Sequence, residues 1–252
     1  MSMLLEIRKL SKHYPGFTLS DISFSLNEGE IMGLIGKNGA GKSTALKSVL
    51  NMARPDGGSV CMFGMDYFEH EAACKQQLGV VLGGMDFYLH KKLAAVTAVT
   101  QRFYARWDEA AYRKYMKLFE LDEKKRVDQL SAGMRVKYLI ALALSHHARL
   151  LIFDEPTSGL DPVARDDLLE LFKALVKSGE RGILFSTHIT SDLDKCADSV
   201  TYIKAGRLLL SARKAAFVEA FQNLKEPDGH ALSLEEIMVR TEKRHYDAEF
   251  AL

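Results

Sequence analysis

Two kinds of apolar patterning divide the chain. Near its start, "MLLEIRKL", "FTLSDISFSL" and "GSVCMFG" alternate apolar and polar residues, with the turn signals "PG", "NEG" and "PDGG" between and around them. Alternation with period two sets one face of a strand on a core and leaves the other in water, which predicts an antiparallel β layer. Further along, "EIMGLIG", "LGVVL", "RLLIF" and "GILFS" are short and almost continuously apolar, and each adjoins a helical pattern or a polar loop. Strands buried on both faces read this way, so these runs predict a mostly parallel sheet covered by helices. From about Leu93 to Leu121 the period changes: Val99, Phe103 and Tyr104, then Tyr112, Tyr115, Leu118 and Phe119, recur at helical spacing. After "GRLLLSA", the segments "AFVEAFQNL" and "LSLEEIMVRTEKR" are helix candidates separated by "KEPDGH". The expectation is one α/β domain over residues 1–252. Its core is made by 1–82 and 147–210, its inserted helical subdomain by 83–146, and its helical tail by 211–252.

Composition narrows the classes. Hydrophobic residues at 47% and charged ones at 27% supply a real core and an ordinary solvated surface. A net charge of +1, with basic residues spread along the chain, offers no stripe to counter nucleic-acid phosphates. Cys61, Cys74 and Cys196 form no CxxC pair, so neither a zinc site nor a disulfide framework is indicated and a reducing cytosol fits. No apolar run approaches the roughly 18 residues of a membrane span.

Candidate chemistry concentrates at the ends of the continuous runs. "GKNGAGKST", Gly36 to Thr44, has the spacing G-x-x-x-x-G-K-[ST], follows "IMGLI" and opens the helical "STALKSVLNMA". Its glycines let successive N–H groups approach phosphate oxygens, and the helix start adds partial positive charge. Lys42 is placed to reach the β- and γ-phosphates, and Ser43 to offer a hydroxyl to Mg²⁺. Lys37, Asn38, Gly39, Ala40, Gly41 and Thr44 complete the cradle. "RLLIFDEPTSGLD" puts Asp154 and Glu155 at the carboxyl end of a buried strand, where open α/β sheets bind ligands. Asp154 is a candidate Mg²⁺ ligand and Glu155 a candidate base for an attacking water. His188, in "FSTHIT", ends another strand and is a candidate donor to a γ-phosphate oxygen. The remaining histidines show no metal spacing; His146 and His147, taken as helical, point about 100° apart.

"LSAGM", residues 130 to 134, carries no charge. Ser131 is a natural N-cap there, and Gly133 lets backbone approach a ligand. Asp161-Pro162 suits the N-cap and first position of another helix. The phosphate loop, "LSAGM", "LLIFDEP", "SGLD" and "STH", in this order and spacing over about Tyr14 to Leu210, resemble the ATP-binding subunit of an ABC transporter. The resemblance implies the P-loop NTPase fold, ATP and Mg²⁺, and a head-to-tail pair of ATP-binding subunits, identical or not. Ser131, Ala132, Gly133 and Asp161 would then face the ATP held by the other subunit's loop. It also implies that Tyr14 stacks on adenine, that the helical insertion contacts a separate membrane-spanning subunit, and that the chain sits on the cytoplasmic face of the membrane. The tail is similar to that of exporter ATPases, which favours export. Two departures stand out: Met134 replaces the usual Gln of the signature, and Gly83 occupies the place after "LGVVL" where the family commonly has Gln, with Asp86 nearby. The alternatives left open are an ABC-type ATPase of cofactor assembly and a nucleotide-switched binding module with little turnover.

Overall fold

The computed structural model describes residues 2–82, 88–221 and 232–242. The chain opens with two long strands, β1 (Met3–Tyr14) and β2 (Phe17–Asn27), then β3 (Ile31–Ile35), α1 (Lys42–Val49), β4 (Gly57–Met62), β5 (Met65–Asp66) and α2 (Glu71–Lys75). Next come β6 (Leu78–Leu82), α3 (Leu93–Thr100), α4 (Glu109–Leu118), α5 (Ala132–Ser145), β7 (Leu150–Asp154) and α6 (Pro162–Val176). The last elements are β8 (Gly182–Thr187), α7 (Thr190–Cys196), β9 (Ser199–Lys204), β10 (Arg207–Arg213), α8 (Lys214–Ala220) and α9 (Leu234–Glu242).

The alternating strands pair antiparallel, β5-β4-β1-β2, and the apolar runs pair parallel, β9-β3-β8-β7-β6. The two halves meet through β10, which touches β2 at the single pairing Arg207↔Ser20 and runs antiparallel to β9. Strand β9 escapes the apolar-run criterion because "SVTYIK" mixes polar with apolar residues, yet five of its six positions are buried. In the parallel half the register Ile35↔Thr187 and Asp154↔Ser186 aligns the carboxyl ends of β3, β7 and β8 along one edge. Ligand-binding groups of an open α/β sheet collect at such an edge.

Each sheet face has its own core. On one, Phe172 of α6 packs against Phe153 of β7 and Phe185 of β8 at centroid distances of 4.6 and 5.7 Å. Burying each such ring contributes on the order of 2–3 kcal/mol, enough to pin α6 across the two strands that carry the acidic end. On the other, Leu46 and Val49 of α1 pack with Leu34, Leu150 and Leu184. The helical insertion has a separate core built on Leu93, Val96, Tyr112, Met116 and Tyr138. Within it the Thr97 hydroxyl lies 2.9 Å from that of Tyr112 and 2.8 Å from that of Tyr138. The face differs from the one read off the sequence: Val99, Phe103 and Leu118 are exposed. The chain tightens into a 3-10 turn at Gln101–Phe103, which rotates the later residues out of the α3 register.

His146 and His147 also depart from the helical reading. Helix α5 stops at Ser145, and His147 takes a positive φ of 59°. His146 is buried in a stack on Tyr104, with centroids 3.6 Å apart, while His147 Nε2 lies 3.5 Å from Asp108. The tail packs back onto the sheet: Leu232, Leu234 and Ile237 are buried, and the Tyr202 hydroxyl donates to Glu242 at 2.9 Å. Gly83, Asp86 and the separator "KEPDGH" lie outside the described residues. Among the described residues, no helix is long and apolar enough to cross a membrane.

Candidate active site

Helix α1 starts straight after Gly41, whose φ of +110° is one that side chains resist, and a Cβ there would stand 2.8 Å from the Phe17 ring. A Cβ on Gly36 would lie 2.2 Å from the Ile203 carbonyl oxygen. These two glycines let the loop fold tightly between β3, the β9–β10 turn and the hairpin of β1 and β2. The Gly206 N–H closes the wrap by donating to the Ala40 carbonyl at 2.8 Å. Lys37, Asn38 and Gly39 form the exposed crest of the loop. No acidic residue sits in the first turn of α1, so its positive end is uncompensated.

The loop meets the strand ends through side chains. Lys42, 5% exposed, donates to the Gly36 carbonyl at 2.8 Å and lies 3.2 Å from Glu155 Oε1. The Ser43 hydroxyl donates to Asp154 Oδ1 at 3.1 Å. His188 Nδ1 lies 2.8 Å from Glu155 Oε2. Glu155 therefore stands between Lys42 and His188, one carboxylate oxygen on each. Its backbone sits at φ +51°, unusual for a residue with a side chain and costly without support.

Part of that support comes from Ser186, which sequence reasoning did not single out. Its buried hydroxyl donates to Asp154 Oδ1 at 2.6 Å and accepts from the Glu155 N–H at 2.9 Å. One hydroxyl thus fixes both acids to β8. The only signal for it in the sequence is its place two residues before His188.

A cavity of about 650 Å³ opens over these groups, a size suited to a small ligand. It is lined by Gly39, Lys42, Ser43 and Thr44 from the loop and the start of α1, and by Glu155 and His188 from the strand ends. Phe17 and Ser158 also line it. The aromatic wall is therefore Phe17 from β2. Tyr14 is not among the lining residues; it stands across the hairpin from Phe17, 43% exposed, with Lys12 Nζ 5.5 Å above its ring. Phe17 was hidden from sequence reasoning because it opens an alternating strand and looks like any half-buried position. The Ser43 hydroxyl, which lines the cavity, and the buried Asp154 carboxylate bonded to it are hard oxygen donors side by side, a set that fits Mg²⁺ bound jointly with phosphate.

The "LSAGM" segment is elsewhere. Ser131 caps α5 by accepting from the Met134 N–H at 3.2 Å, and Asp161 caps α6 by accepting from Val163 and Ala164 at 3.0 Å each. The two helix starts lie side by side, since the Cβ position of Gly133 is 3.5 Å from that of Ala164. Ser131, Ala132 and Asp161 are exposed, and none of these residues, nor Gly133, lines the cavity.

A family model described as ABC transporter matches residues 19–158, more than half of the chain. The chain belongs to the ABC transporter family. Bacitracin transport ATP-binding protein BcrA of Bacillus licheniformis is 30% identical to it over 212 residues, covering 83% of this chain and 69% of that protein. Nod factor export ATP-binding protein I of Rhizobium johnstonii is 32% identical over 221 residues, covering 85% and 71%. A solved structure of the ATP binding subunit of an ABC transporter superposes with a TM-score of 0.82 at 28% identity, covering 95% of this chain and all of the other. This ABC protein is accordingly an ATP-binding subunit and ATPase that works with membrane subunits in a transporter complex.

Proposed function

We propose that the chain hydrolyses ATP as one half of a head-to-tail dimer and powers export from the cytoplasmic face of the membrane. The supporting observation is a division of labour. Lys42, Ser43, Glu155 and His188 line one cavity, with Asp154 held to Ser43 behind it, while none of the exposed residues at the starts of α5 and α6 lines it. In this reading the loop Gly36 to Thr44 wraps the phosphates of ATP, and Ser43 and Asp154 hold Mg²⁺. The ion would neutralise charge on the phosphate oxygens. Glu155 takes a proton from water as the water oxygen bonds to the γ-phosphorus and the bond to the ADP oxygen breaks. Lys42 exchanges Glu155 for phosphate oxygens on nucleotide entry, and His188 donates to a γ-phosphate oxygen. Ser131, Ala132, Gly133 and Asp161 serve the ATP held by the second subunit, where an uncharged helix start favours an anion.

The helical insertion, within 83–146, is read as the contact for the membrane subunit. Phe103 is 70% exposed and Leu118 62%, large apolar surfaces that a partner would cover. Export is supported by relatives named for bacitracin transport and Nod factor export. The whole chain is taken as a single ATPase domain, with the described parts of the tail, 211–221 and 232–242, packed on it.

The test is Glu155→Gln, which keeps shape and removes the base. Nucleotide binding should persist, phosphate release should fall by roughly a hundredfold or more, and an ATP-bound dimer should accumulate in light scattering. Unchanged hydrolysis by this variant would remove Glu155 from the role.

A further inference from the structure

The carboxylate of Asp192, on α7, is fully buried, and no step of the proposed hydrolysis uses it. Oδ2 accepts from the Thr157 hydroxyl at 2.6 Å, and Oδ1 is paired with Arg165 Nε. A second guanidinium nitrogen of Arg165 donates to Ser191, the neighbour of Asp192, at 2.7 Å. Burying a carboxylate at this depth is expensive even with its half-buried Arg165 partner, and packed apolar side chains would hold the same elements together as well or better. What an ion pair adds is direction, because both carboxylate oxygens fix the places of their partners.

Those partners belong to segments that must agree in position for the reaction. Thr157, itself buried, is two residues beyond Glu155 in the loop leaving β7. Arg165 lies in the first turn of α6, where its N–H donates to the carbonyl of Asp161, the cap residue on the exposed face. Asp192 is four residues beyond His188. A single buried carboxylate therefore ties together the segments that carry Glu155, Asp161 and His188. Glu155 needs such a tie, since its φ of +51° persists only when its surroundings over-determine it. Ser186 holds Glu155 at its own N–H; Thr157 and Asp192 hold the loop beyond it.

We infer that Asp192 is a positioning residue for hydrolysis: through Thr157 and Arg165 it keeps the Glu155 loop and the Asp161 helix start in register with His188. The inference rests on the proposed role of Glu155. A misplacement of even 1 Å at reacting groups costs up to about a hundredfold in rate, so the loss should fall on kcat while the phosphate loop goes on binding ATP.

The experiment measures kcat, KM for ATP, ATP affinity and melting temperature of the full chain for Asp192→Asn, Thr157→Val and Thr157→Ser, alone and combined with Glu155→Gln. Asp192→Asn should lower kcat by roughly tenfold or more with KM and ATP affinity within about twofold. Thr157→Val, which removes only the hydroxyl donor, should lose a smaller part of kcat, and Thr157→Ser should restore it. In the Glu155→Gln background, Asp192→Asn and Thr157→Val should cost nothing further, because what they position is already gone. The proposal is overturned if Thr157→Val keeps full kcat. It is equally overturned if Asp192→Asn, whether or not it also melts early, loses ATP affinity as much as kcat, or if its loss adds in full to that of Glu155→Gln. Full hydrolysis by Glu155→Gln alone would instead remove the parent reading.

Discussion

The two candidate functional faces of this molecule are finished to different degrees. At the strand ends almost every polar group already has a partner within the chain: Lys42 has Gly36 and Glu155, Ser43 has Asp154, and His188 has Glu155. At the start of α5, the Ser131 oxygen is engaged by one N–H, that of Met134, and the surrounding backbone faces solvent. Buried charge demands partners on the first face, whereas exposed amide groups on the second are served by water. On the proposed reading the strand-end face can rest without nucleotide because Glu155 holds the Lys42 ammonium that phosphate would take. Among the described residues the α5 start shows no such internal stand-in, and on the same reading its occupant comes from a second subunit.

The strongest way to break this comparison is to obstruct only the second face. Ser131→Arg places a long side chain over the α5 start without touching the cavity. Nucleotide affinity of the isolated subunit should stay within about twofold, while ATP-dependent dimerisation is lost and hydrolysis by the assembled transporter falls by roughly a hundredfold. Equilibrium nucleotide titration and sedimentation, run on the same preparation, read the two effects separately. Equal loss of both would show that the faces are not distinct.

A second prediction concerns the seam between the sheet and the helical insertion. Gln76 accepts from the Ala105 N–H at 2.9 Å and donates to the Phe103 carbonyl at 2.8 Å, and beside it His146 stacks on Tyr104. Burial lowers the His146 imidazolium from the ordinary 6.5 to about 4. The unfolded chain therefore takes up this proton at a higher pH than the folded one. Stability from His146 is fully present above pH 6.5 and is lost as pH falls through that range to about 4. The difference amounts to about 3 kcal/mol. His146→Phe keeps the stack and removes the titration, so its denaturant stability should fall less between pH 7 and pH 4 than that of the parent chain. Parallel pH profiles for the two chains would contradict the assignment.

What could be read in the sequence follows the reach of each feature. The phosphate loop is local: Gly36 to Thr44 carry their geometry in their spacing, and β3, β6, β7 and β8 of the parallel sheet announce themselves as nearly continuous apolar runs, while β9 with its mixed "SVTYIK" does not. The helix starts at Ser131 and Asp161 are local too, since a cap is set by a few consecutive residues. Ser186, Asp192 and Phe17 were illegible because their importance is made by segments distant in the chain. Asp192 is 35 positions from Thr157, and Ser186 is 32 from Asp154. The exposure of Phe103 is hidden for a related reason, since a 3-10 turn shifts phase without any glycine or proline to announce it.

The smallest and sharpest test lies at Gly133, where the two requirements of the α5 face carry opposite signs. Within the chain this glycine is not needed for space: an added Cβ would meet Ala164 at 3.5 Å and the Leu160 side chain at 3.7 Å, both ordinary contacts. It lies within α5, where alanine is preferred over glycine by up to about 1 kcal/mol. Folding alone therefore favours alanine. Gly133→Ala should raise stability by about 0.5–1 kcal/mol in denaturant titration. If the second subunit's phosphate approaches the backbone here, the same methyl group should weaken the ATP-bound dimer several-fold while leaving nucleotide affinity of the isolated subunit alone. A chain that became more stable and kept its dimer would show that glycine at this place serves no approach of ligand, and the α5 start would be reduced to a helix cap.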